Sequence, residues 1–273
     1  MRISVRHRTL YRYDRPIDYT IQLLRMCPRE HEGQSVLSWE VRVPGRKEPL
    51  PVSEDGFGNI VHVHTVNAPH AETAIEIEGE IETSDTHGVV RGSDERLPPA
   101  FYLRPTPLTE ADAAIRDLAE SAAAGEAKPL DRLHALMDAV RARVAYKVGA
   151  SDATTTAVEA LARGEGVCQD HAHLFIAAAQ SLGYPARYVS GYLWAGDSDE
   201  PYEASHAWAE AYIEDLGWVG FDPANGVSSS DAYVRTAVGL DYQTAAPVRG
   251  LRRGLAAEDM TVEVQIAAAA GDQ

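Results

Sequence analysis

Apolar and polar positions alternate through the first hundred residues, and helical spacing takes over after them. Stretches of period two run through Ile3-Ser4-Val5-Arg6-His7, Val36 to Val43, Asn59 to Val66 and Ala74 to Glu82. Successive strand side chains point to opposite faces, so this alternation predicts half-buried strands. Pro44-Gly45 and Asp55-Gly56-Phe57-Gly58-Asn59 supply turns between them. An antiparallel β-sandwich or half-barrel is the expected arrangement. Leu97-Pro98-Pro99 and Arg104-Pro105-Thr106-Pro107 then interrupt the pattern. Proline punctuation of this kind marks a boundary, which puts a β-rich domain at 1–104 and a second domain at 105–266.

Helices open the second part. Thr109 with Asp112 reads as a capping box for a helix running to about Ala124, and Thr156 with Glu159 reads as another, ended by Gly164. Leu130, Leu133, Met137, Val140 and Val144 recur at helical spacing. A further stripe runs from Cys168 through Ala172, Phe175, Ile176, Ala179 and Leu182 to Gly183-Tyr184-Pro185. Strands are predicted over Ala186 to Trp194, Ser205 to Ile213 and Gly217 to Phe221. Met260 to Ile266 alternates like a last strand that returns to the first domain, and 267–273 reads as a frayed tail. The fold class is therefore α+β.

Composition narrows the function classes. The 273 residues carry 25 basic and 41 acidic side chains, a formal charge of −16, which disfavours nucleic-acid or anionic-membrane partners. No apolar run approaches the roughly 18 residues of a membrane span. Met1 to Tyr13 lacks the apolar core of a secretory signal, so a cytoplasmic location is the default expectation. Two cysteines, Cys27 and Cys168, do not make a disulfide scaffold. The oligomeric state has no signature in the sequence.

Cys168 follows Gly164-Glu165-Gly166-Val167, where a glycine-bearing loop meets a helix. The first helical turn has unpaired N–H groups and partial positive charge, which favour thiolate over thiol. The same N–H groups can stabilise the oxyanion formed when sulfur attacks a carbonyl. Of ten histidines, His206 is the best-placed proton partner, held on the alternating strand Ser205-His206-Ala207-Trp208-Ala209-Glu210. Asp222, ending the next strand, can orient the ring through its other nitrogen. For the two side chains to share a face, the strand connection must be odd in length, such as Glu214 to Leu216, or contain a bulge.

These blocks are also familiar as a family. Gly166-Val167-Cys168-Gln169-Asp170-His171-Ala172-His173, Gly183-Tyr184-Pro185-Ala186-Arg187, Ser205-His206-Ala207-Trp208 and Gly217-Trp218-Val219-Gly220-Phe221-Asp222-Pro223 closely resemble bacterial transglutaminase-like proteins. Pro28-Arg29 and Phe57-Gly58-Asn59 look like the β-rich N-terminal domain of that family. The resemblance spans almost the whole chain. It implies a papain-like core, with the cysteine opening a helix and the histidine and aspartate on adjacent strands. It also implies a catalytic triad of Cys168, His206 and Asp222 in a peptidase, amidase or transglutaminase.

The expected partner is a peptide or amide substrate, with no cofactor and no metal. His171 and His173 lie about 200° apart on a helix and cannot easily share an ion. His62 and His64 would share a strand face but lack a third ligand, and read as surface or interface histidines. Cys27 and Met26 read as core or strand-end residues. Asp170 reads as a helix-start carboxylate or a substrate contact, and Trp208 or Tyr146 as a wall of the site. Two rivals remain open: a binding module that kept the fold without turnover, and a metal-dependent hydrolase.

Overall fold

A computed structural model describes residues 1–196 and 205–269. The N-terminal part is made of β1 (Arg2–Ile17), β2 (Tyr19–Cys27), β3 (Gln34–Arg42), β4 (Val52–Glu54), β5 (Ile60–Val66), β6 (His70–Thr83) and the short β7 (Val89–Val90). After a 3-10 turn at Pro99–Leu103 come α1 (Ala113–Ala123), α2 (Pro129–Arg143), β8 (Ala145–Tyr146), α3 (Ala157–Arg163), β9 (Glu165–Gly166) and α4 (Cys168–Ser181). The remainder is β10 (Ala186–Leu193), β11 (Ser205–Ile213), β12 (Gly217–Asp222), β13 (Val227–Ser228), β14 (Tyr233–Gly239), α5 (Tyr242–Ala245), β15 (Val248–Arg253) and β16 (Glu258–Ala269).

Two antiparallel sheets, ordered β16-β1-β6-β3 and β15-β2-β5-β4, make the N-terminal sandwich. Its core joins Tyr11, Ile17, Ile75 and Ile77 of one sheet to Leu24 and Met26 of the other. Odd positions of β1 turn inward, as its period-two pattern requires. β15 and β16 come from the far end of the chain, so the sandwich is completed only after the rest has folded back. β16 pairs with β1 from Tyr13↔Glu258 to Arg2↔Ala269. Residues 267–269, expected as tail, therefore extend this strand, because β1 offers ladder partners that far. The rest of that tail, 270–273, lies outside the described residues.

The second part is a sheet ordered β13-β12-β11-β10-β14, with β7 pairing β12, and with helices packed against it. Helix α4 is its centre. Every residue from Asp170 to Ala179 is buried, so the expected single stripe is an enclosed helix, covered by α1, α2 and α3 as well as by the sheet. Ala207, Ala209 and Ala211 of β11 share its core cluster, and side chains this small let the helix lie close to the strand. Full burial of Leu174, Phe175 and Ile176 contributes about 1.5–3 kcal/mol each.

Capping explains where these helices begin. Thr156 and Glu159 form the expected box at α3, and Gly164 ends it at φ 70°. At α1 the expectation needs correcting. Asp112 is itself the N-cap, accepting from Ile115 N at 2.9 Å, while the Thr109 hydroxyl accepts from Thr106 N. An Asp at the boundary satisfies the free N–H groups directly, so no upstream threonine is needed.

Side-chain amides join the two parts by acting as backbone surrogates. Gln34 accepts from Arg235 N at 2.8 Å and donates to Arg235 O at 2.9 Å, and Asn59 pairs with Val238 N and O in the same way. Arg187 and Glu210, both fully buried, are 2.6 Å apart, with Arg235 and Glu95 completing the network and Arg187 lying 3.8 Å over the Trp218 ring. Burial pushes the Glu210 carboxyl up, but the charges of Arg235 and Arg187 outweigh it and hold the group well below its ordinary value.

Candidate active site

The turn that presents Cys168 is fixed by the segments around it. β9 pairs in parallel with β8, and Lys147 N donates to Gly166 O at 2.8 Å. Val167, the residue before α4, has no capping side chain. Asp170 compensates: its Oδ2 accepts from Val167 N at 2.7 Å and from the Ser151 hydroxyl. A Cβ at position 166 would lie 2.7 Å from that carboxylate, so only glycine fits there. Asp170 is thus a buried helix-start carboxylate, the structural alternative of the two expected for it.

His171 braces the same turn. Its ring nitrogens face Val167 O and Val144 O, each at 2.9 Å, tying the start of α4 to the end of α2. His173 accepts from Tyr242 N at 3.0 Å, and burial lowers its pKa to about 4, leaving a neutral ring. Among the described residues, no three His, Cys, Asp or Glu side chains are placed to hold a metal ion.

Cys168 is the first residue of α4 and is 9% exposed. Opposite it, β11 and β12 are joined through Glu214 to Leu216, since Ile213 pairs with Gly217. That odd connection keeps even-numbered residues of both strands on one face, which puts His206 and Asp222 together diagonally. His206 Nε2 donates to Asp222 Oδ2 at 2.6 Å. The Cys168 side chain lies near enough to the ring to raise its pKa. Sulfur, imidazole and carboxylate are thus gathered in one place.

Burial pushes the His206 pKa down, but the bond to Asp222, with the Asp222 and Cys168 side chains beside the ring, more than reverses this and raises it to about 10. Burial pushes Asp222 up, and the bond and charge of His206, with Asn225 and Tyr233, hold it below its ordinary value. Cys27 differs. It ends β2, lies 3.9 Å from Pro28 O, and burial pushes its thiol up to about 11.

Two residues of this site were not expected. Tyr233 donates its hydroxyl to Asp222 Oδ2 at 2.7 Å, and Asn225 Nδ2 donates to the same oxygen at 2.7 Å. Asp222 Oδ1 accepts from Ala224 N and Asn225 N, so one carboxylate both caps the turn at Pro223 and holds His206. Trp208 stacks beside His206 with centroids 6.3 Å apart, while Tyr146 sits 6.2 Å from His171. Met26 is core, as expected, and Trp218 is buried against Arg187. The surface expectation for His64 fails: it is buried and bonded to Thr73 at 3.0 Å, because an even position of β5 faces the sandwich interior there.

Comparison with known proteins agrees with this architecture. Residues 116–223 match the transglutaminase-like superfamily, and residues 3–82 match the bacterial transglutaminase-like N-terminal region. An uncharacterized protein of Mycobacterium leprae is 30% identical over 97% of this chain and 98% of its own length. One from Mycobacterium tuberculosis is 28% identical over 92% of this chain and 87% of its own. A crystal structure from Cytophaga hutchinsonii, described as a candidate cysteine protease, superposes with a TM-score of 0.77. It covers 100% of this chain and 92% of that one at 22% identity, which establishes the shared fold. This chain belongs to the transglutaminase-like superfamily, with the bacterial N-terminal region of that family preceding its core.

Proposed function

We propose that this chain is a cysteine-dependent acyl-transfer enzyme that cleaves an amide or peptide bond through a thioester on Cys168. The observation that carries the reading is the Cys168 side chain, at the start of a buried helix, beside the hydrogen-bonded pair His206–Asp222. In this reading the sulfur attacks the carbonyl carbon and the C–O π electrons move onto oxygen. The backbone N–H groups that open α4, at Cys168 and Gln169, stabilise that oxyanion. His206, protonated in the resting pair, gives its proton to the departing amine as the C–N bond breaks. Asp222 holds the ring in the required tautomer.

The thioester then waits for a nucleophile. Neutral His206 takes a proton from water, hydroxide oxygen adds to the carbonyl, and the carboxylic acid leaves sulfur. An amine in place of water gives transamidation by the same steps. Hydrolysis is the preferred reading because water needs no second binding site. Cys168→Ala should abolish amide cleavage with its unfolding midpoint preserved, and iodoacetamide should modify Cys168 rather than Cys27 in a chelator-insensitive wild type. Cleavage at the wild-type rate by Cys168→Ala would remove the thiol mechanism.

A further inference from the structure

A cavity of about 650 Å³ opens between the start of α4 and the N-terminal sandwich, within the usual size of a small-molecule site. Val167 and Gln169, the two chain neighbours of Cys168, line it, and so does Ser205, the neighbour of His206. The far wall is the sandwich itself. Three successive cross-strand pairs, Tyr11↔Met260, Thr9↔Val262 and His7↔Val264, contribute both members to it. Residues two apart on a strand share a face, so this is one continuous strip of β1 and β16. Met26 and Val248 reach it from the facing sheet.

Sheet topology explains why the strip is open. β15 and β16 are the edge strands of their two sheets, so the strip lies at the rim of the sandwich. Met260 and Val262 consequently stay 55% and 46% exposed on an inward-turned face. The wall is also nearly free of charge. His7 is neutral, since burial lowers its pKa to about 4, and its ring bonds Tyr192 and Thr9. Among the described lining residues, Asp152 is the charged side chain at neutral pH.

We propose that this open mouth of the N-terminal sandwich is the subsite for a large uncharged, apolar side chain of the amide substrate, seated beside the bond that Cys168 attacks. The inference rests on the thiol reading above. An apolar group gains by leaving water here. A carboxylate loses its hydration without a cation to meet it, and faces Asp152.

The test uses alkylation of Cys168, which needs no turnover. Three reagents are compared on the full chain, each normalised to its rate with glutathione: iodoacetamide, N-hexyl iodoacetamide and N-(5-carboxypentyl) iodoacetamide. The hexyl reagent should modify Cys168 at least about tenfold faster than iodoacetamide, and the carboxylate reagent should gain nothing. Val262→Asp should remove the hexyl advantage. Leu255→Asp, on a 91% exposed loop residue outside the cavity, should keep it. A hexyl ratio near one, an equal gain for the carboxylate reagent, no alkylation of Cys168 by any of the three, or an advantage that survives both Val262→Asp and Met260→Asp overturns the subsite. Self-association lost in Val262→Asp with the ratio unchanged assigns the strip to a second copy of the chain and overturns it too. The labelling ratio judges the subsite, whereas amide cleavage by Cys168→Ala judges the thiol reading.

Discussion

Replacing Asp222 with Asn tests what the carboxylate does for His206. The substitution keeps the shape of the side chain and removes its charge. It also sets an amide N–H₂ group against the donors from His206, Asn225 and Tyr233 that Oδ2 accepts. Burial lowers the His206 pKa, the bond to Asp222 is the largest contribution opposing it, and the Asp222 charge adds to that. Without them the proton should leave the ring at a pH at least about two units lower, equivalent to about 2.7 kcal/mol. The ring then becomes neutral rather than remain a buried, poorly compensated cation.

Stability should follow with a defined pH signature. The raised His206 contributes stability that is fully present below its ordinary 6.5 and is lost as pH rises through about 10. The lowered Asp222 contributes stability present above its ordinary 3.8 and lost as pH falls through its folded value. The stability gap between wild type and Asp222→Asn should therefore be widest between pH 3.8 and 6.5 and narrow on both sides. Histidine-selective NMR titration, with the resonance assigned through His206→Gln, reads the first effect. Urea unfolding across the pH range reads the second. A wild-type His206 that titrates near 6.5, or one unmoved by Asp222→Asn, would refute the reasoning.

Two further substitutions probe the support around this pair. Tyr233→Phe deletes a 2.7 Å hydrogen bond to a charged oxygen while the ring stays packed on Trp208. It should cost about 1.5–3 kcal/mol in urea unfolding. Amide cleavage should fall by less than about tenfold, or 1.4 kcal/mol of barrier, since the other Asp222 partners remain. Gly191 pairs with His206 at the point where the β10–β14 register shifts. A Cβ there would lie 2.0 Å from Val234 O and 2.7 Å from the Trp208 ring. Gly191→Ala should destabilise by about 3 kcal/mol or more, read as a lowered thermal midpoint.

The fold was legible where burial follows one simple period. β1, β3, β5 and β6 show alternation because one face of each is covered. β2 escaped notice because its buried positions include Thr20 and Gln22, so polarity does not track burial. β15 is exposed along most of its length and reads as loop. At the site, Asp222 was suggested by its place ending the strand after His206, and the odd connection this pair requires is the one observed; the Asp222-Pro223-Ala224-Asn225-Gly226 turn would have pointed to Asn225. Tyr233 had no local signal: β14 lies at the far end of the β12-β11-β10-β14 path. Met260 to Val264 announced a strand, but nothing nearby announced that its inner face would line a cavity with the chain neighbours of Cys168.

The most direct test of a covalent thiol mechanism is to catch the acyl group on sulfur. Wild-type chain mixed with p-nitrophenyl hexanoate and quenched in acid within milliseconds should gain one hexanoyl mass, mapped by proteolysis to Cys168 and released by hydroxylamine. Nitrophenolate release with Cys168 unmodified, or with the hexanoyl group on Cys27 or on lysines instead, would contradict the account.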